Sequence, residues 1–70
     1  MSAGNDRLKR ERAAGRRDAR RERDYGLVPA EEAEARAVAR DRNGDAIGAA
    51  YWLGYAGQVR QWETTSGVTS

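Results

Sequence analysis

The residues best suited to chemistry in this 70-residue chain are arginines, and most of them lie near its start. Between Asp6 and Asp24 there are nine basic and five acidic side chains, which makes this stretch +4 within a chain of net charge +2. A guanidinium group is a flat fork of N–H donors that matches the oxygens of phosphates and carboxylates. The stretch therefore predicts contact with nucleic acid through Arg7, Arg10, Arg16, Arg17, Arg20, Arg21 and Arg23.

The segment RLKRERAAGRRDARRER, residues 7–23, resembles the arginine-rich RNA-binding peptides of phage antitermination proteins. The resemblance rests on the spacing Arg-Arg-x-x-Arg-Arg-x-Arg that begins at Arg16, and it implies a helix that folds on an RNA hairpin. Binding of this kind releases counterions and weakens steeply with salt. The chain has twelve arginines and one lysine, a bias typical of a high-GC genome such as that of an actinobacterium or one of its phages.

A second interpretation of the same segment is a solvated helix crossed by ion pairs. Acids lie among its arginines, and Asp6/Arg10, Arg7/Glu11 and Arg20/Asp24 have the i,i+4 spacing of helical pairs. The segment has no apolar stripe, and Gly15 interrupts its middle. A helix that is polar on all sides is stable only with outside support, so we expect a marginally stable one.

The absence of cysteine and histidine narrows the range of functions. It excludes disulfides, thiolate and imidazole metal ligands, and the usual general base near neutral pH, so we expect no enzyme and no cofactor. Asp41, Asn43 and Asp45 match the first half of a calcium loop, but Ala46 and Trp52 replace the glycine and glutamate of its second half, so no metal is expected. The apolar run 46–57 is far shorter than the ~20 residues that span a bilayer, which favours a cytoplasmic protein without membrane contact.

Turn and cap signals predict an all-α fold in which a basic arm, 1–25, precedes an α-hairpin, 26–63, and a disordered tail, 64–70. Gly26 and Pro29 mark the start of the hairpin. Its helices are expected at about 29–42 and 45–62, because Asn43-Gly44 favours a helix end and Asp45 can cap the next helix.

The last helix combines large rings with very small residues. At 100° per residue, one arc carries the predicted partner interface, which consists of Ile47, Tyr51, Trp52, Tyr55, Val59 and Trp62. The other side carries Ala46, Ala50, Leu53, Gly54 and Gly57, and we expect it to pack on Ala30, Ala33 and Ala37. The rings would then cover the first helix, a second copy of the chain or another molecule.

These observations predict a small non-enzymatic binding or regulatory protein of phage origin. In the first version, the arm binds RNA or DNA, and the aromatic face forms a homo-oligomer or docks a partner protein. In the alternative, the chain is a protein–protein adaptor, a host-protein inhibitor or an assembly component, and its arm meets an acidic protein surface.

Overall fold

Three helices account for nearly all of the part of the chain that the structure describes. The computed structural model describes the backbone of residues 3–68 and the side chains of residues 6–64. The helices are α1, Ala3–Glu22, α2, Ala30–Arg42, and α3, Ala46–Val68, and residues 3–68 contain no strand. The predicted all-α fold is confirmed. No helix within residues 3–68 is long and apolar enough to cross a membrane.

Helices α2 and α3 form the predicted antiparallel hairpin. Glu34 pairs with Arg60 far from the turn, with N···O distances of 2.6 and 2.8 Å, and Arg40 lies 3.6 Å from Asp45 beside the turn. Gly44 takes a φ of +80°, a backbone conformation that glycine adopts without strain. Asp45 caps α3, since its Oδ1 accepts a hydrogen bond of 2.9 Å from the Gly48 N–H.

Helix α3 is longer than the sequence predicts. It continues to Val68 instead of ending near Trp62, and it thus includes most of the segment for which disorder is expected. No proline follows Trp62, and once a helix has formed, adding a further turn is less costly than starting one. Residues 69–70 of the predicted tail lie outside the described residues.

Helix α1 packs along α3 instead of forming a detached arm. The two run in the same direction, because Arg12 lies against Gly54 at one end of the contact and Arg23 lies over Trp62 at the other. Helix α3 therefore lies between α1 and α2, and the backbones of α1 and α2 make no close approach within residues 3–68. Of the three alternatives for the aromatic arc, the structure shows coverage by the first helix.

Two glycines set the distance between α1 and α3. A Cβ atom built on Gly15 would lie 2.0 Å from the carbonyl oxygen of Tyr51, and one built on Gly54 would lie 2.1 Å from that of Arg12. Each helix thus places a backbone carbonyl in the space that a side chain would fill on the other. The residue that interrupts the polar segment, Gly15, is buried because the helix contact requires it.

The predicted division of α3 into an aromatic and a smooth side is wrong. On α2, Ala30, Ala33 and Ala37 are buried as expected, but they share a core with Tyr55, Ala56 and Val59. Gly54 contacts α1, whereas Gly57 and Leu53 are exposed. A helix with neighbours on two sides buries two arcs, so a division into one packed and one free side does not describe it.

We expect alanine at Gly15 or Gly54 to destabilise the fold. The added methyl group would meet a backbone carbonyl that cannot move without separating the helices, and overpacking of this kind costs about 1–3 kcal/mol. Urea unfolding followed by far-UV circular dichroism measures the change. Gly57→Ala is the matched control, since nothing lies within 4 Å of the position that its methyl carbon would take, and the substitution should stabilise α3 by up to about 1 kcal/mol. Equal effects at Gly54 and Gly57 would contradict the close contact.

Candidate functional site

Carboxylates of α1 point toward α3, where they meet tyrosine hydroxyls. The Tyr51 hydroxyl donates a hydrogen bond to Asp18, and the Tyr55 hydroxyl donates one of 2.6 Å to Glu22. Tyr55 also accepts a hydrogen bond of 3.0 Å from the Val28 N–H, so its hydroxyl joins α1, α3 and the segment before α2. The ring of Tyr55 is fully buried, and it is the largest side chain that is.

Burial and these hydrogen bonds change the acid–base behaviour of both tyrosines. Burial raises the pKa of Tyr51 well above its ordinary value, and the hydrogen bond to Asp18 raises that pKa further. Burial and the Glu22 carboxylate raise the pKa of Tyr55 in the same way, while the Val28 N–H partly offsets the change. Both hydroxyls therefore keep their protons and act as donors over the whole neutral range.

The inward acids belong to a repeated triplet of two basic residues and one acid. It occurs at residues 9–11, 16–18 and 20–22, as Lys-Arg-Glu, Arg-Arg-Asp and Arg-Arg-Glu. The steps of seven and four residues bring each triplet to nearly the same angle on a helix of 3.6 residues per turn. All three acids are half-buried, whereas every basic member of the triplets is exposed. Packing on α3 thus separates the two signs of charge.

We call the exposed basic members of the triplets the cationic face; they are Lys9, Arg10, Arg16, Arg17, Arg20 and Arg21. The three ion pairs among residues 6–64 lie on α2, on α3 and at the turn between them, and none involves a basic residue of α1. The expected pairs Asp6/Arg10, Arg7/Glu11 and Arg20/Asp24 do not form, whereas Glu32/Arg36 does, at 2.8 Å. No basic residue of the cationic face therefore forms an ion pair with a carboxylate among these residues.

All seven predicted nucleic-acid-binding arginines are exposed, and two of them, Arg20 and Arg23, also make contacts inside the chain. Arg7 is exposed like the cationic face. Arg23 lies 4.6 Å from the ring centre of Trp62, and Arg20 donates a hydrogen bond of 3.3 Å to the buried Gln58. The predicted set omits Lys9, and the triplet repeat is the sequence signal that identifies it.

The predicted partner-interface residues mostly pack within the chain. Tyr55 and Val59 are in the core, and Ile47 and Tyr51 are half-buried. Trp52 is half-buried beneath the Arg36 guanidinium, whose carbon lies 4.8 Å from the ring centre, and Trp62 is covered in part by Arg23. A contact with a second molecule through this set would have to use the parts of Trp52 and Trp62 that remain exposed.

Comparison with known proteins adds no family to this description. No protein-family model, no curated protein and no solved structure matches the chain. Within the described residues, no group of three acidic side chains is placed to hold a metal ion.

Phenylalanine at Tyr51 and Tyr55 should weaken the fold and change its response to alkaline pH. Loss of the Tyr55 hydroxyl leaves Glu22 and the Val28 N–H without this partner, at a cost of about 1–3 kcal/mol. Because the folded chain holds tyrosine protons that the unfolded chain releases near pH 10.0, stability is retained below that pH and falls as the pH rises above it.

Urea unfolding between pH 7 and pH 11 tests both effects. The free energy of unfolding of the double variant should be lower at pH 7 and should depend less on pH above 10 than that of the parent. Tyr25→Phe is the control at pH 7, because this ring is 88% exposed and lies in the turn after α1, away from the interface. An unchanged alkaline profile in the double variant would contradict the assignment.

Proposed function

We propose that the protein is a non-enzymatic nucleic-acid-binding protein whose cationic face contacts the phosphate backbone. The observation that carries this proposal is the separation of charge on α1. Asp18 and Glu22 are engaged by tyrosines of α3, so the exposed arginines have no acidic neighbours paired with them. This arrangement turns the carboxylates of Asp18 and Glu22 toward α3 and away from the exposed arginines, which supports a phosphate-binding stripe.

The arrangement also favours binding with little ordering of the helix. A segment that folds only on its ligand loses conformational entropy in doing so, which lowers its affinity. Helix α1 is instead held on α3 by the Gly15 and Gly54 contact and by the tyrosine hydrogen bonds. The binding free energy would then come mainly from counterion release by the arginines.

Binding through the cationic face does not require recognition of a particular base sequence. Phosphate contacts fix the position of a protein on nucleic acid but carry no sequence information themselves. The members of the cationic face have long side chains and are exposed, which suits contacts to phosphates over many sequences. A role in covering, compacting or positioning nucleic acid follows from such contacts more directly than recognition of one site.

An electrophoretic shift series at increasing salt tests the proposal. We expect micromolar binding of duplex DNA and hairpin RNA at low salt, with log K falling by about 0.9 per phosphate contact for each unit of log salt on B-DNA. Arg16→Gln with Arg17→Gln should make that slope shallower by about 2.

The matched control compares Arg16→Gln alone with Arg42→Gln, since each removes one charge from an exposed position that forms no ion pair. If the two single variants lose affinity equally, net charge rather than the cationic face governs binding. If no shift is seen with either nucleic acid at low salt, docking of the arm on an acidic protein surface becomes the better account.

A further inference from the structure

We infer that the ligand of the cationic face is double-stranded nucleic acid, held by phosphates of both strands at once. The inference rests on the proposed function and names its substrate class. It follows from the arrangement of the six basic residues, which form two rows instead of one. Lys9, Arg16 and Arg20 make the first row, and Arg10, Arg17 and Arg21 make the second.

The two rows run parallel to each other along α1, and the side chains of one row point away from those of the other. Within each row the steps of seven and four residues keep the side chains at nearly one angle, and the rows are about 100° apart around the helix axis. Each row extends about 16 Å along the axis, at 1.5 Å per residue. All six side chains are exposed, so both rows are accessible from the same side of the molecule.

Two rows of cations that point in different directions fit a duplex, which has two phosphate strands, better than they fit a single strand. A helix is about 10–12 Å across, and the major groove of B-DNA is about 12 Å wide, with a phosphate strand on each side. A helix in such a groove places one row of cations toward each strand. A single strand offers only one row of phosphates, and the second row of the protein would be left in solvent.

The surface between the rows favours contact with backbone over contact with bases. Ala13 lies there, exposed, and its methyl group cannot donate hydrogen bonds to base edges. Single-strand binding proteins stack bases on aromatic rings, but α1 contains none. The rings of α3 face the protein interior or lie under arginines. Tyr25, in the turn after α1, is 88% exposed and is the ring most open to base stacking, whereas Trp52 and Trp62 are half-buried.

Row variants and three nucleic-acid probes test the inference. The probes are a DNA duplex of about 20 base pairs, an RNA duplex of the same length and a single DNA strand. This length exceeds the stretch of nucleic acid that the two rows could contact. Lys9→Gln with Arg16→Gln removes charge from the first row, and Arg10→Gln with Arg17→Gln removes it from the second. Both leave the Arg20–Gln58 hydrogen bond in place, and circular dichroism checks that the helices persist.

We expect at least one duplex to bind about tenfold more tightly than the single strand at equal low salt, and both row variants to reduce the duplex salt slope by the same amount, about 2. Tighter binding of the DNA duplex would agree with a B-form major groove wide enough for the helix, whereas tighter binding of the RNA duplex would contradict that docking geometry, because the A-form major groove is deep and narrow. Tyr25→Ala should leave duplex affinity unchanged.

Three results would overturn the inference while leaving the proposed function intact. These are equal affinity for single strand and duplex, loss of duplex binding from one row only, and loss of binding in Tyr25→Ala, which would indicate base stacking. Failure of the parent chain to bind any of the three probes at low salt would instead contradict the proposed function.

Discussion

The close backbone contact between α1 and α3 is the constraint on which the rest of the structure depends. Only glycine at positions 15 and 54 leaves room for the opposing carbonyl groups. With the helices this close, the carboxylates of Asp18 and Glu22 reach tyrosine hydroxyls across the interface. The contact stands in place of a large apolar core, since the fully enclosed residues are mostly alanines and Tyr55 is the one large side chain among those described.

That same contact links stability to the charge distribution. Buried polar groups must find hydrogen-bond partners, and all buried side-chain nitrogen and oxygen atoms among the described residues have them. On α1, the hydrogen-bond partners of Asp18 and Glu22 lie on α3, so these two acids face the interface while the neighbouring arginines are exposed. A chain whose overall charge is only +2 thereby presents an exposed surface of six basic groups, none of them paired with a carboxylate of residues 6–64.

Much of the hairpin was predictable because its signals are local. Asn43, Gly44 and Asp45 specify a helix end, a turn and a helix cap through their own backbone and side-chain chemistry. The packing of α1 was not predictable in this way. The segment has no apolar stripe from which an inner side could be predicted, and Gly15 was taken as an interruption, although in the structure Gly15 is buried and Glu11, Asp18 and Glu22 are half-buried on the same side. The rings of α3 were assigned to one free side, whereas in the structure Tyr51 and Tyr55 meet α1 and Trp52 lies against Arg36 of α2.

The sequence by itself determined the all-α class, the positions where α2 and α3 begin, and the concentration of arginine in residues 7–23, because each depends on residues close together in the chain. Only the tertiary structure decided which side of α1 turns inward, which glycines lie against the backbone of the neighbouring helix, and which arginines form no ion pair with a carboxylate. Those outcomes depend on contacts between residues more than 30 positions apart, such as Asp18 with Tyr51. A helical wheel of one segment contains no information about the groups that its neighbour will offer.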